Sequence, residues 1–176
     1  MKKSSLIIAW LFLLAGATAS QTRDWRGIIP LHSTRSDVRK ILGKPLSTSA
    51  KKHVERYRIN DDFVFVEYAF EPCDLIGDNW GMFDVPEWTV QLIRVEFVEH
   101  GIPLDKIGIP DVDTLERVPT SSGDIYYYDR QQGLAYTVRK GDVIGMDYAP
   151  SSAENHLRCP SKKSSLSARN RTKPCS

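Results

Sequence analysis

The sequence predicts an α+β fold in which one or two short N-terminal helices pack on an antiparallel sheet of about six strands. Three observations lead there. A capped amphipathic segment at 33–45 has helical spacing, the apolar period changes to two from residue 53 onward, and the period-two runs are separated by turn residues instead of helix-length crossovers. The chain has 176 residues, 41% hydrophobic and 26% charged. Those values fit one ordinary domain with a tail, and argue against a multidomain enzyme, wholesale disorder or a multi-span membrane protein.

Residues 1–20 read as a secretory signal peptide. Lys2 and Lys3 precede an unbroken apolar run over 6–14, and small residues follow over 15–20. An apolar core of about ten residues suits a cleaved signal, whereas a span needs about twenty. Thr18 and Ser20 fit a cut before Gln21; cuts after Ala17 or Ala19 also fit, and an uncleaved anchor is the alternative. No Cys lies near the cut for lipid attachment and no twin-Arg pair is present. The expected location is periplasmic or secreted after cleavage near Ser20.

The mature domain is expected over 21–159. It opens with an apolar entry segment, WRGIIPL at 25–31, interrupted by Pro30. Next comes STRSDVRKILGKP at 33–45. Thr34 with Asp37 three residues on forms a variant capping box, the acid lying at the positive end of the helix dipole. Val38, Ile41 and Leu42 form one apolar stripe, Gly43 stops the helix and Pro45 forbids its continuation. Arg35, Arg39 and Lys40 read as a solvated face.

Six strands are expected, at 53–59, 63–70, 90–98, 124–129, 133–140 and 142–148. Asn60, Asp61 and Asp62 join the first two as a hairpin, and the Gly141-Asp142 step joins the last two. FVFVEYAF at 63–70 is apolar on both faces near its start, which predicts a central strand covered on both sides. The stretch 99–123 is poorly periodic and reads as a loop with one short helical turn. No large apolar side chains punctuate 160–176 beyond Leu166, so this basic tail is expected to be disordered. Asn170-Arg171-Thr172 matches a glycosylation sequon, a match common by chance.

The segment STRSDVRKILGKP resembles the helix motif of the SmpA/OmlA lipoproteins, also called BamE, of the outer-membrane β-barrel assembly machinery. Thr34, Asp37, Val38, Ile41, Leu42, Gly43 and Pro45 occupy the positions of that motif. The resemblance implies a short helical pair on an antiparallel sheet, as in β-lactamase-inhibitor-type domains. Absence of a lipidation Cys and a longer sheet portion depart from the family. Residues 25–38 also resemble uncharacterised exported bacterial proteins that open W-x-G-I-x-P-L-x-S-T-R-x-D-V.

Three cysteines, Cys73, Cys159 and Cys175, allow three pairings in an oxidising compartment. Cys73–Cys159 is preferred because both lie at the edges of predicted strands. Cys159–Cys175 would pin the tail back instead. No zinc-ligand spacing is present.

The formal charge of +2 belongs to Lys2 and Lys3, so the mature chain is neutral. Lys162, Lys163, Arg169, Arg171 and Lys173 make 160–176 purely basic, which leaves 21–159 acidic by the same five charges. Nucleic-acid binding by the body is therefore disfavoured, and attraction to anionic surfaces is confined to the tail as a weak contact.

Signatures of catalysis are missing. His32, His53, His100 and His156 are isolated, and no nucleophile elbow, phosphate loop or dinucleotide fingerprint is present. No cofactor or metal is expected. The acidic run of Glu71, Asp74, Asp78, Asp84 and Glu87 has no calcium-loop order and reads as a surface loop. Trp80, Phe83 and Trp88 in the same run, together with Tyr126, Tyr127 and Tyr128, are the candidate interaction aromatics. The expectation is an exported, non-enzymatic binding or envelope-assembly module whose partner is another envelope or secreted protein. A small hydrolase with a dispersed site and a secreted inhibitor are the alternatives.

Overall fold

The computed structural model describes residues 23–70, 73, 83–99, 101–109 and 112–159. The signal peptide, Trp80, His100, Cys175 and the basic tail lie outside the described residues.

The one α-helix among the described residues, α1 (Arg35–Leu42), begins and ends where the sequence dictates. Asp37 N–H donates to the Thr34 hydroxyl, the Asp37 carboxylate accepts from Thr34 N–H, and Gly43 closes the helix at φ 81°. Val38 is fully buried and Leu42 packs against the same core. Ile41 departs from the expected stripe: it is 45% exposed, because eight residues bury one narrow face and Ile41 lies at its margin.

The six expected strands are all present, within a larger sheet. They are β2 (Val54–Ile59), β3 (Asp62–Tyr68), β4 (Val90–Glu96), β7 (Ile125–Asp129), β8 (Leu134–Arg139) and β9 (Asp142–Tyr148). Three more strands raise the total: β1 (Ser47–Ser49), β5 (Ile102–Pro103) and β6 (Glu116–Pro119). The order is β1-β2-β3-β4-β9-β8-β7-β6, antiparallel throughout, with β5 on β9. The stretch 99–123 is thus not one loop, since it supplies β5, the edge strand β6 and two 3₁₀ turns. All four residues of β6 are exposed, so no alternation marks it in sequence.

Turn chemistry fixes the register. Ile59 pairs with Asp62 around a two-residue turn whose Asn60 has φ 56°. Arg139 pairs with Asp142 around Lys140 and Gly141, both at positive φ, the requirement of a type I′ hairpin.

One face of the sheet is covered in two places. Trp25, Ile28, Val38 and Leu42 cover Tyr57, Val64, Val66, Tyr68, Ile93 and Val95. Leu104, Ile107, Ile109 and Leu115 cover Leu134, Tyr136, Val138 and Val143. The opposite face is open along most of its width. On it Phe63 and Phe65 are half-buried, so β3 is central but not covered on both sides. The Arg56 guanidinium lies over the Phe63 ring at 3.6 Å, in place of a second layer.

Cys73 and Cys159 form a disulfide, with Cα atoms 5.4 Å apart. The link spans a sequence separation of 86. Closing a loop of that length restricts the unfolded chain by about 4–5 kcal/mol in the chain-entropy model. Beside it, Phe83 bridges Arg158 and Asp84 N–H donates to Leu157 C=O, so the 83–85 segment and the 3₁₀ turn Ser152–Leu157 pack together.

Candidate functional site

A carboxylate sits where strand alternation calls for an apolar side chain. Glu55 pairs with Val66 and Tyr57 with Val64, so Glu55 faces the covered side beneath α1, fully buried. Arg35 and Arg39 stand one helical turn apart and descend onto it. Arg35 Nε donates to Glu55 Oε1 at 2.8 Å and Arg39 Nε at 3.1 Å, while Tyr57 and Tyr68 hydroxyls donate to Oε2 at 2.6 and 2.9 Å. Burial alone would raise the Glu55 pKa. The arginine and tyrosine donors overcome it and hold the group down at about 2. Burial, followed by the hydrogen bond to Glu55, pushes Tyr57 up to about 12, and burial also raises Tyr68. Arg35 and Arg39 therefore depart from the solvated face expected of them, because the helix directs both at a buried charge.

Around this centre, rings and a cation stack in sequence. The Arg35 guanidinium lies 4.2 Å over Trp88, Trp88 stacks on His53 at 4.0 Å, and His53 stacks on Phe70 at 4.1 Å. His53 Nδ1 donates to Ala69 C=O at 3.0 Å. His53 and Trp88 both adopt left-handed backbone, at φ 49° and 67°, a conformation that non-glycine residues hold only when the surroundings impose it. Trp88 is thus occupied on both faces, and Phe83 is buried at 6% with Arg158 across its ring. Of the candidate interaction aromatics, Phe83 is thus buried and Trp88 is half-buried with both ring faces in contact.

The remaining histidines are likewise local fixtures. His32 Nε2 lies 3.0 Å from Glu154 Oε1, and the other oxygen of Glu154 accepts from Ser151 N–H at 2.9 Å and caps the 3₁₀ turn. The carboxylate stands between serine and histidine, so the imidazole is not positioned to take the hydroxyl proton, as a nucleophile's base must. His156 Nδ1 donates to Ala153 C=O at the surface. Of the acidic run, Asp84 and Glu87 are exposed; Glu71, Asp74 and Asp78 lie outside the described residues. Among the described residues no three metal-ligating side chains converge.

The open sheet face carries a different arrangement. Register places Phe65, Arg94, Asp147, Ala135 and Tyr128 side by side across β3, β4, β9, β8 and β7. The neighbouring rung is Phe63, Glu96, Gly145, Thr137 and Tyr126. Arg94 and Asp147, directly opposed, form a two-pronged pair with Nε–Oδ1 at 2.9 Å and Nη2–Oδ2 at 3.0 Å. Arg139 grips Asp124 in the same way, at 2.7 and 2.8 Å. Arg139 holds the Asp124 carboxyl below its usual range, and Asp147 raises Arg94. Tyr126 and Tyr128 stack with centroids 5.9 Å apart.

Gly145 shapes the floor. A side chain there would meet the Val95 carbonyl oxygen at 3.1 Å, so the centre of the rung stays low between Arg94 and Tyr126. The depression is a cavity of about 550 Å³ bounded by Arg94, Glu96, Glu99, Asp124, Tyr126 and Arg139. A second cavity, of about 300 Å³, shares Asp147 as a lining residue and is bounded by Leu92, Tyr128, Arg130 and Arg158. The sequence marks Tyr126 and Tyr128 as candidate interaction aromatics, and both are half-buried here, but it does not disclose their charged neighbours. They come from three separate strands and from the residue just before β7, and only the register unites them. Comparison with family models, with curated proteins and with solved structures finds no match to this chain.

Proposed function

We propose that this chain is an exported, non-enzymatic binding module of the envelope-assembly kind, and that it engages a partner protein through the open face of its sheet. The observation that carries the reading is the lining of that face. Two stacked tyrosines and two arginine–carboxylate pairs flank two neighbouring cavities. Aromatic and arginine side chains are the types enriched at recognition surfaces, and a rigid sheet presents them at low conformational cost. The charged groups are engaged with each other, which suits recognition more than proton transfer.

Export is supported by the signal-like residues 1–20 and by the Cys73–Cys159 disulfide, which persists in oxidising compartments. Among the described residues no helix is long and apolar enough to cross a membrane. The BamE-like motif at 33–45 and its place over an antiparallel sheet support the assembly-module reading over a hydrolase.

A photo-crosslinking amino acid placed at Tyr126 or Thr137, with Ile41 on α1 as control, tests this in cells exporting the full chain. The reading expects a shared adduct from the two sheet positions and none from Ile41. Adducts confined to Ile41, or none at all, would overturn it.

A further inference from the structure

The covered face has a seam. Trp25, Ile28 and α1 cover one part of it, Leu104 to Leu115 cover the other, and Tyr148 packs against both. A cavity of about 550 Å³ lies at that seam. Tyr136 and Met146, opposite each other on β8 and β9, form its floor, and Ile107, Ile109 and Leu115 form a wall. Arg23, two residues before Trp25, lines it from the other cover. Small-molecule sites have this make-up, at about 300–1,000 Å³: apolar walls and a few polar groups.

Three hydrogen-bond donors meet there without an acceptor. Tyr136 is 6% exposed and lines the cavity. Its hydroxyl, that of Tyr148 and the Arg23 guanidinium have no hydrogen-bond acceptor among the described residues. Burial raises the pKa of both hydroxyls, and the Arg23 charge acts on both in the opposite sense, which places the guanidinium near the two. Both tyrosines therefore remain O–H donors, and Arg23 is charged throughout. A buried hydroxyl so placed costs free energy until an acceptor reaches it.

Net charge does not select the occupant. Among the described lining residues Arg23 and Arg130 balance Glu116 and Asp129. The flanking segments 24–26 and 104–117 add Arg26, Lys106 and Arg117 against Asp24, Asp105, Asp111 and Asp113, so the surroundings are close to neutral. What decides is which groups are already engaged. Glu116 holds the Arg130 fork with both oxygens, Asp129 accepts from Gln132 N–H at 3.0 Å, and Asp24 accepts from Gly27 N–H at 2.8 Å. Of the described lining cations, Arg23 alone has no carboxylate partner.

We propose that this cavity is a second binding site, for a small amphiphilic monocarboxylate. The apolar chain lies along Ile107, Ile109, Leu115 and Met146, and the carboxylate accepts from Arg23 and from the hydroxyls of Tyr136 and Tyr148. A planar guanidinium matches the two oxygens of a carboxylate. One unpartnered cation matches one charge, whereas a phosphate head carries nearly two. An ammonium head would meet donors only. Tyr128 and Arg130 also line the smaller open-face cavity, but the unpartnered donors and the apolar wall belong to the covered side. The site therefore stands or falls independently of the partner surface.

The test titrates the mature full chain with decanoate below its micellar concentration, followed by calorimetry and amide NMR. Expected are saturable binding and shift changes gathered at Ile109, Tyr136 and Met146, with Tyr126 and Thr137 unmoved. No saturable binding, or shifts confined to Tyr126 and Thr137, would overturn the proposal.

Tyr136→Phe keeps the ring and removes only the unpartnered hydroxyl. The variant should fold as the parent does and bind decanoate about tenfold more weakly. Arg23→Gln, at an exposed position, should weaken binding by a similar factor of about ten. Unchanged affinity in both variants would overturn the proposal. Decylamine, with the same chain and a donor-only head, should bind at least about tenfold more weakly than decanoate. Equal affinity would show that the cavity takes apolar chains alone and would also overturn it. A Tyr126 adduct in cells with no decanoate binding refutes this site and retains the proposed function; decanoate binding with no adduct does the reverse.

Discussion

The two faces of the sheet use the same chemical device to different ends. On the covered face Glu55 is fully buried and holds Arg35 and Arg39 with the hydroxyls of Tyr57 and Tyr68. On the open face Asp147 and Asp124 hold Arg94 and Arg139; these carboxylates are 17% and 11% exposed, against 0% for Glu55, while the exposure of Arg94, 43%, matches the 44% of Arg39. A carboxylate removed from water depends wholly on its partners, so the first cluster fastens α1 to the sheet. Asp147 keeps some access to water and its arginine more, so that pair can exchange partners and is available for recognition. The difference teaches that burial decides what an arginine–carboxylate pair contributes.

The largest expected effect comes from breaking the covered cluster. Glu55→Ala leaves two guanidinium groups and two buried hydroxyls without their acceptor, and about 3–5 kcal/mol of stability should be lost in equilibrium urea unfolding. A loss below about 1 kcal/mol would show that water replaces the carboxylate and that the cluster is not a fastening.

Acid should do more gradually what that substitution does at once. The Glu55 pKa lies at about 2 in the folded chain, against an ordinary value of 4.5. Its contribution is therefore complete above the ordinary value and disappears as pH falls through the folded one. Linkage puts the total at roughly 3 kcal/mol, to be read as a steep fall of unfolding free energy below about pH 4.5 in the wild type. Glu55→Gln should flatten that fall. An equally steep fall in the variant would place the acid sensitivity elsewhere.

Smaller again is the expected effect of Asp147→Ala. Arg94 keeps access to water once its partner is gone, so stability should change by about 1 kcal/mol or less. The crosslinked adduct at Tyr126 should nevertheless diminish, because the flank of the cavity is lost. Tyr126→Ala should be the mildest for folding, within about 0.5–1 kcal/mol, and should weaken partner engagement most directly. Unchanged capture of the crosslinked partner by the Tyr126→Ala chain would break the comparison on the open side.

How much of this was legible in the sequence depends on the range of the signal. Thr34, Asp37 and Gly43 act within one helix, and all three cap where local chemistry places them. Asn60 and Gly141 set hairpins by backbone conformation, again a local matter. β6 escaped because an exposed edge strand has no buried side to alternate with. Glu55 escaped because alternation was read for apolar residues only. Its parity with Tyr57 and Ile59, taken with two arginines four apart on the one helix, was the available signal for a buried ionic contact. The open-face pairs needed strand order, since Arg94, Asp124, Arg139 and Asp147 approach only once β4 lies beside β9 and β7 beside β8.

The division of labour between the faces is tested most directly by urea unfolding of Glu55→Ala and Asp147→Ala side by side at neutral pH and moderate salt. The account predicts a loss of about 3–5 kcal/mol for the first and about 1 kcal/mol or less for the second. Equal losses, or a larger loss for Asp147→Ala, would contradict it.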